Sequence, residues 1–173
     1  NVSAVAVGCM RISALSHGEL SRFIHTALDC GVNFFDHADI YGGGECEAAF
    51  GRVLKEEPGL RGQMVLQGKC GIRKGMYDFS KEHILKSVDE ILGRLNTDYL
   101  DVLLLHRPDA LMEPEEVGEA FDRLEAAGKV KRFGVSNFNA RQIDLLQSGL
   151  RQKLVANQLQ FGLLHTGMID HAL

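Results

Sequence analysis

Residues 80–106 read SKEHILKSVDEILGRLNTDYLDVLLLH, and the two halves of this stretch follow different periods. Behind a Ser80 cap, with Glu82 and His83 in the first turn, Ile84, Leu85, Val88, Ile91, Leu92 and Leu95 recur at helical spacing on one face. Residues 99–105 then abandon that spacing. The run VLLL is apolar on both faces, which a strand requires when it is covered from two sides. An amphipathic helix feeding a short, doubly covered strand is the repeating unit of a parallel sheet built from crossovers.

The same alternation extends in both directions. Strands are expected at 4–10, 32–35, 64–67, 99–105, 130–135 and 154–159, and helices at 18–30, 45–55, 81–95, 114–127 and 140–150. After the sixth strand the chain runs through Gly162 and Gly167 to Leu173 without a clear sixth crossover helix. An open doubly wound sheet that binds a dinucleotide carries Gly-x-Gly-x-x-Gly after its first strand, whereas the turn here is GCMRIS. The glycine cluster Gly42, Gly43, Gly44 is followed by Glu45 and Glu47, which oppose a pyrophosphate at a helix start. A barrel spreads its functional residues over the ends of many strands, and this is the pattern found below.

Composition narrows the function classes. With 45% hydrophobic and 24% charged residues the chain can bury a core, and a net charge of -4 argues against binding a phosphate backbone, so nucleic acid is excluded as a partner. No stretch approaches the roughly 20 apolar residues of a membrane span. The start, NVSAVAVGCMRIS, has no basic-then-apolar leader pattern and no initiator Met, and the reading is a cytoplasmic protein. Cys9, Cys30, Cys46 and Cys70 show no metal-ligand spacing and are read as reduced thiols. The run Glu113, Glu115, Glu116, Glu119 is read as a solvated face at a helix start.

Ionisable and amide residues interrupt the apolar strands at their C-terminal ends. Asp36 ends the second, the third reaches Lys69, His106 ends the fourth, the fifth runs into Ser136 and Asn137, and Asn157 and Gln158 lie in the sixth. Burying any one of them alone costs several kcal/mol, so together they point to one mutually satisfied polar site on a single rim. A tyrosine hydroxyl titrates near pKa ~10 in water, and a neighbouring ammonium favours its phenolate. Tyr41 is therefore the candidate acid, Lys69 the ammonium, Asp36 its ion-pair partner and His106 a hydrogen-bond donor to a substrate oxygen. Such a set suits carbonyl reduction, with the hydride supplied by a cofactor because no side chain carries one. The pair His37 and Asp39 lacks further ligands at other strand ends, so no metal is expected. Ser136 and Asn137 could also cap the helix that follows them.

The strings FDHADIYGGGECE, LQGKCG, LLLHRPD, GKVKRFGVSNF and NQLQ together resemble the aldo-keto reductases, in order and over essentially the whole chain. The resemblance implies a (β/α)8 TIM barrel of which strands 1 to 6 are present, and reduction of aldehydes and ketones with NADPH. It places the catalytic tetrad on Asp36, Tyr41, Lys69 and His106, and contacts to the nicotinamide carboxamide on Ser136, Asn137 and Gln158. Asp36 is expected to face the cofactor as well. His37 stands where the family usually has a small residue, and the family's late Gly-Ser and Lys or Arg groove for the adenosine end is absent before Leu173. NADP is thus implied by the resemblance alone.

Two readings accompany the reductase. One is a redox-sensing module that holds the cofactor and acts on a protein partner, as potassium-channel β subunits of the family are thought to do. The other follows from length: 173 residues against the ~250 of a closed barrel suggest a partial barrel domain over 1–173, lacking strands seven and eight. Such a piece cannot close and would expose strand edges.

Overall fold

The structure is a computed structural model that describes residues 2–170. In chain order it contains β1 (Ala6–Gly8), α1 (His17–Asp29), β2 (Phe34–Asp36), α2 (Glu45–Glu56) and β3 (Val65–Cys70). A small hairpin, β4 (Ile72–Arg73) with β5 (Met76–Tyr77), precedes α3 (Lys81–Leu95) and β6 (Val102–Leu105). The rest is α4 (Pro114–Ala126), β7 (Phe133–Ser136), α5 (Ala140–Ser148), β8 (Leu154–Gln158) and the short α6 (Gly167–Asp170). Six strands pair in parallel in the order β1-β2-β3-β6-β7-β8, so the expected alternation of strands and crossover helices holds.

The sheet is curled. β2 and β8 are four strand positions apart, which in a flat sheet is roughly 19 Å at the usual ~4.8 Å spacing. Yet Gln158 Nε2 of β8 lies 3.1 Å from Asp36 Oδ2 of β2. The strands therefore bend around an interior, with the helices on the outside, as a half-barrel.

Burial follows the reading of the central stretch. Leu103, Leu104 and Leu105 of β6 are wholly buried, and Ile84, Val88, Ile91 and Leu95 form the inner stripe of α3. Ser80 caps that helix by accepting from the His83 N–H. Leu85, placed on the same stripe by spacing, is only partly buried because it sits at the stripe's margin. α2 and α3 touch at Gly51, where an added Cβ would lie 1.9 Å from the Arg94 carbonyl oxygen.

Several expectations are corrected. Most strands are shorter than their apolar runs, whose ends are loop. β3 is instead longer and runs through Lys69 to Cys70. The β4–β5 hairpin has no counterpart in the expected elements. Glu113, Glu115 and Glu119 do lie on a solvated face, but Glu116 also accepts from the Lys81 N–H and Glu119 from Lys81 Nζ, tying α4 to the start of α3. Cys30 is exposed, while Cys9, Cys46 and Cys70 are buried, and all four are free. Among the described residues, no helix is long and apolar enough to cross a membrane.

Candidate active site

In β3, residues i and i+2 share a face, so Gln67 and Lys69 point the same way, and register places Asp36 beside Gln67. Lys69 is 1% exposed, a burial that lysine tolerates only when paired. Its Nζ donates to Asp36 Oδ1 at 2.5 Å, to the His37 carbonyl at 3.1 Å and to Tyr41 Oη at 3.2 Å, so all three ammonium protons have an acceptor. The ammonium thus joins the carboxylate to the phenol inside the half-barrel.

Tyr41 is held by an unusual turn. Gly42, Gly43 and Gly44 all adopt positive φ (59°, 64° and 95°), which glycine takes without a steric penalty. A Cβ at Gly44 would also come within 2.9 Å of the Arg94 side chain. Arg94 in turn donates to Glu47 Oε2 at 2.7 Å, so α3 supports the turn from behind. The Tyr41 and His106 rings meet edge to face at 6.1 Å. Burial, reinforced by the Lys69 and Arg107 charges, pushes the His106 imidazole down to about 4, so the ring is neutral at pH 7.

The amide residues of the later strands close the other side. Gln158 Nε2 donates to Asp36 Oδ2, and Gln158 Oε1 accepts from Gln67 Nε2 at 3.2 Å. Ser136 Oγ donates to the Gln158 carbonyl at 2.9 Å, and Asn137 Nδ2 donates to Ser136 Oγ and to the His106 carbonyl. Asn137 itself has φ 64°. Neither residue caps α5: Asn139 does, in a reciprocal capping box with Gln142. Asn157 Nδ2 binds the Phe138 carbonyl. A cleft of ≈ 300 Å³ opens beside this cluster, with Asn137, Asn139 and Gln142 among its walls.

Asp36, Tyr41, Lys69, His106, Ser136, Asn137 and Gln158 therefore lie in one neighbourhood, whereas Asn157 bonds away from it. Gln67 was missed: it is 4% exposed and donates to Asp36 Oδ1 at 2.6 Å. Its one sequence signal is the i, i+2 alternation with Lys69 in VLQGK. His37 and Asp39 do not converge as a metal pair. His37 faces out of the barrel against the edge of Phe50, 4.7 Å away, and Asp39 lies near Glu47.

A curled parallel β/α sheet thus gathers an acid, a lysine, a tyrosine and a histidine at its strand ends. The Aldo/keto reductase family profile matches residues 4–172, and the chain belongs to that family. It is 50% identical to the uncharacterized oxidoreductase YcsN of Bacillus subtilis over 84% of this chain and 52% of that protein. It is 47% identical to the oxidoreductase YdhF of Escherichia coli over 90% of this chain and 55% of that protein. The chain thus spans about half the length of these relatives. Among solved structures, the holo form of aldo-keto reductase AKR11C1 from Bacillus halodurans superposes with a TM-score of 0.79 at 30% identity, covering 92% of this chain and 54% of that one.

Proposed function

We propose that residues 1–173 carry the reductase site of a (β/α)8 barrel, within its strands one to six, and that this site reduces aldehyde or ketone carbonyls with NADPH. The observation that carries the reading is Lys69, fully buried and bridging the Asp36 carboxylate to the Tyr41 hydroxyl. NADPH, when bound, supplies the hydride that the carbonyl carbon receives.

The chain's own residues supply the rest. Tyr41 Oη holds the proton that passes to the carbonyl oxygen, and the phenolate left behind lies against the Lys69 ammonium. Asp36 keeps that ammonium in place and balances its charge, which a buried cation requires. Neutral His106 donates a hydrogen bond to the same carbonyl oxygen without adding a charge. Ser136, Asn137 and Gln158 present amide and hydroxyl groups at the neighbouring rim, and this donor and acceptor set fits a carboxamide such as that of nicotinamide.

The test is NADPH-dependent reduction of a panel of aldehydes and ketones by wild type and Tyr41→Phe. Loss of the proton donor should lower kcat by about 10²- to 10⁴-fold, with NADPH binding unchanged. Full turnover in Tyr41→Phe would remove the assignment.

A further inference from the structure

Gln67 is a buried side chain that touches both Asp36 of the ion pair and Gln158 of the amide cluster. Its Nε2 carries two hydrogens and uses both, one to Asp36 Oδ1 at 2.6 Å and one to Gln158 Oε1 at 3.2 Å. Asp36 Oδ1 also receives Lys69 Nζ, and Asp36 Oδ2 receives Gln158 Nε2. Two amides therefore clamp the carboxylate on one side while the ammonium holds it on the other. Their positions differ: Gln67 is buried in the middle of β3, whereas Gln158 stands exposed on β8.

We propose that Gln67 is a positioning residue that keeps Asp36 oriented toward Lys69 when Gln158 turns to a ligand carboxamide, and so couples the amide site to the Tyr41 chain. Gln158 has one carbonyl and one NH2 group, and both are engaged inward. Each group keeps one unused hydrogen or lone pair, so it is a rotation of the side chain toward a carboxamide that would carry Nε2 off Asp36 Oδ2 and Oε1 off Gln67 Nε2 together. Gln67 then keeps a charge-assisted bond to Asp36, because its own partner lies within the barrel. Without Gln67, Gln158 becomes the only amide on the carboxylate and is withheld from the ligand.

The proposal rests on the reading of Gln158 as a carboxamide contact, and its test separates the two. Side-chain amide spectra of the glutamine-labelled chain are recorded, with Gln67 and Gln158 assigned through Gln67→Met and Gln158→Leu. Asp36→Asn should displace both amide pairs, and NADPH added to the wild type should displace both as well. Gln67→Met, although at a buried position, should weaken NADPH binding about tenfold, the order of one charge-assisted hydrogen bond, with little further loss on adding Gln158→Leu. A Gln67 signal unmoved in Asp36→Asn overturns the clamp. Losses that simply add in the double variant overturn the coupling. If wild type shows no response to NADPH, the cofactor reading fails, and the Asp36→Asn spectra still decide the clamp. Should Gln67→Met unfold, the wild-type NADPH titration and Asp36→Asn carry the decision alone.

Discussion

Two clusters of buried polar groups flank the segment from Asp36 to Tyr41, and they solve the problem of burial in opposite ways. On the inner side Asp36, Gln67, Lys69 and Gln158 satisfy one another, so two opposite charges persist in the interior. On the outer side His37, Asp39 and Glu47 leave polar atoms without partners among the described residues, namely both His37 ring nitrogens, Asp39 Oδ1 and Glu47 Oε1. There burial disfavours the charged forms, and the Arg94 ion pair offsets this for Glu47. Burial pushes His37 down to about 3, and burial together with the Glu47 charge pushes Asp39 up to about 7. Burial also raises Glu47, against the Arg94 hydrogen bond that favours its carboxylate. A buried group either keeps its charge through a partner or pays for it, and the inner cluster supplies the partners that the outer one lacks.

The largest effect should come from breaking the inner pair. Lys69→Met leaves the Asp36 carboxylate buried and unpaired and should cost about 3–5 kcal/mol in urea unfolding, while Asp36→Leu/Lys69→Met together should recover much of it. A double variant no more stable than the single would show that the two charges are held independently.

His37 comes next. Its folded pKa of about 3 lies below the ordinary value of 6.5, so its contribution is present above 6.5 and lost as pH falls through 3. His37→Phe should remove a few kcal/mol of acid destabilisation over that window. Unfolding midpoints compared at pH 7 and pH 4 check this, and an unaltered acid limb would mean that the ring is solvated or partnered.

Asp39 should give the smallest change and the opposite sign. Its folded pKa of about 7 lies above the ordinary 3.8, so its contribution is present below 3.8 and lost as pH rises through 7. Asp39→Asn should leave stability unchanged near pH 4 and raise it by about 1 kcal/mol at pH 8, after discounting for partial exposure. Equal effects at both pH values would remove titration as the cause.

Much of the fold was legible because its signals are local. The helical stripe of α3 and the doubly covered β6 follow from spacing within 80–106, and each strand-end polar residue stands out against its own apolar run. Less of the site was legible. Gln67 reads as a single tolerated polar residue until its face is known. The Arg94–Glu47 bond that supports the Tyr41 turn joins residues 47 apart, with no sequence signal linking them. Ser136 and Asn137 look like helix caps because their side chains suit that role, yet the cap of α5 is Asn139. The outward direction of His37 was within reach, since it follows inward Asp36 by one residue in a period of two.

By itself the sequence determined which side chains are available and at which end of each strand they stand, because strand and helix periods are set by backbone geometry over a few residues. Only the tertiary structure decided that Asp36 and Gln158, 122 residues apart, share a hydrogen bond. That contact depends on the curl accumulated across the strands between them, a property of the whole sheet that no local stretch encodes.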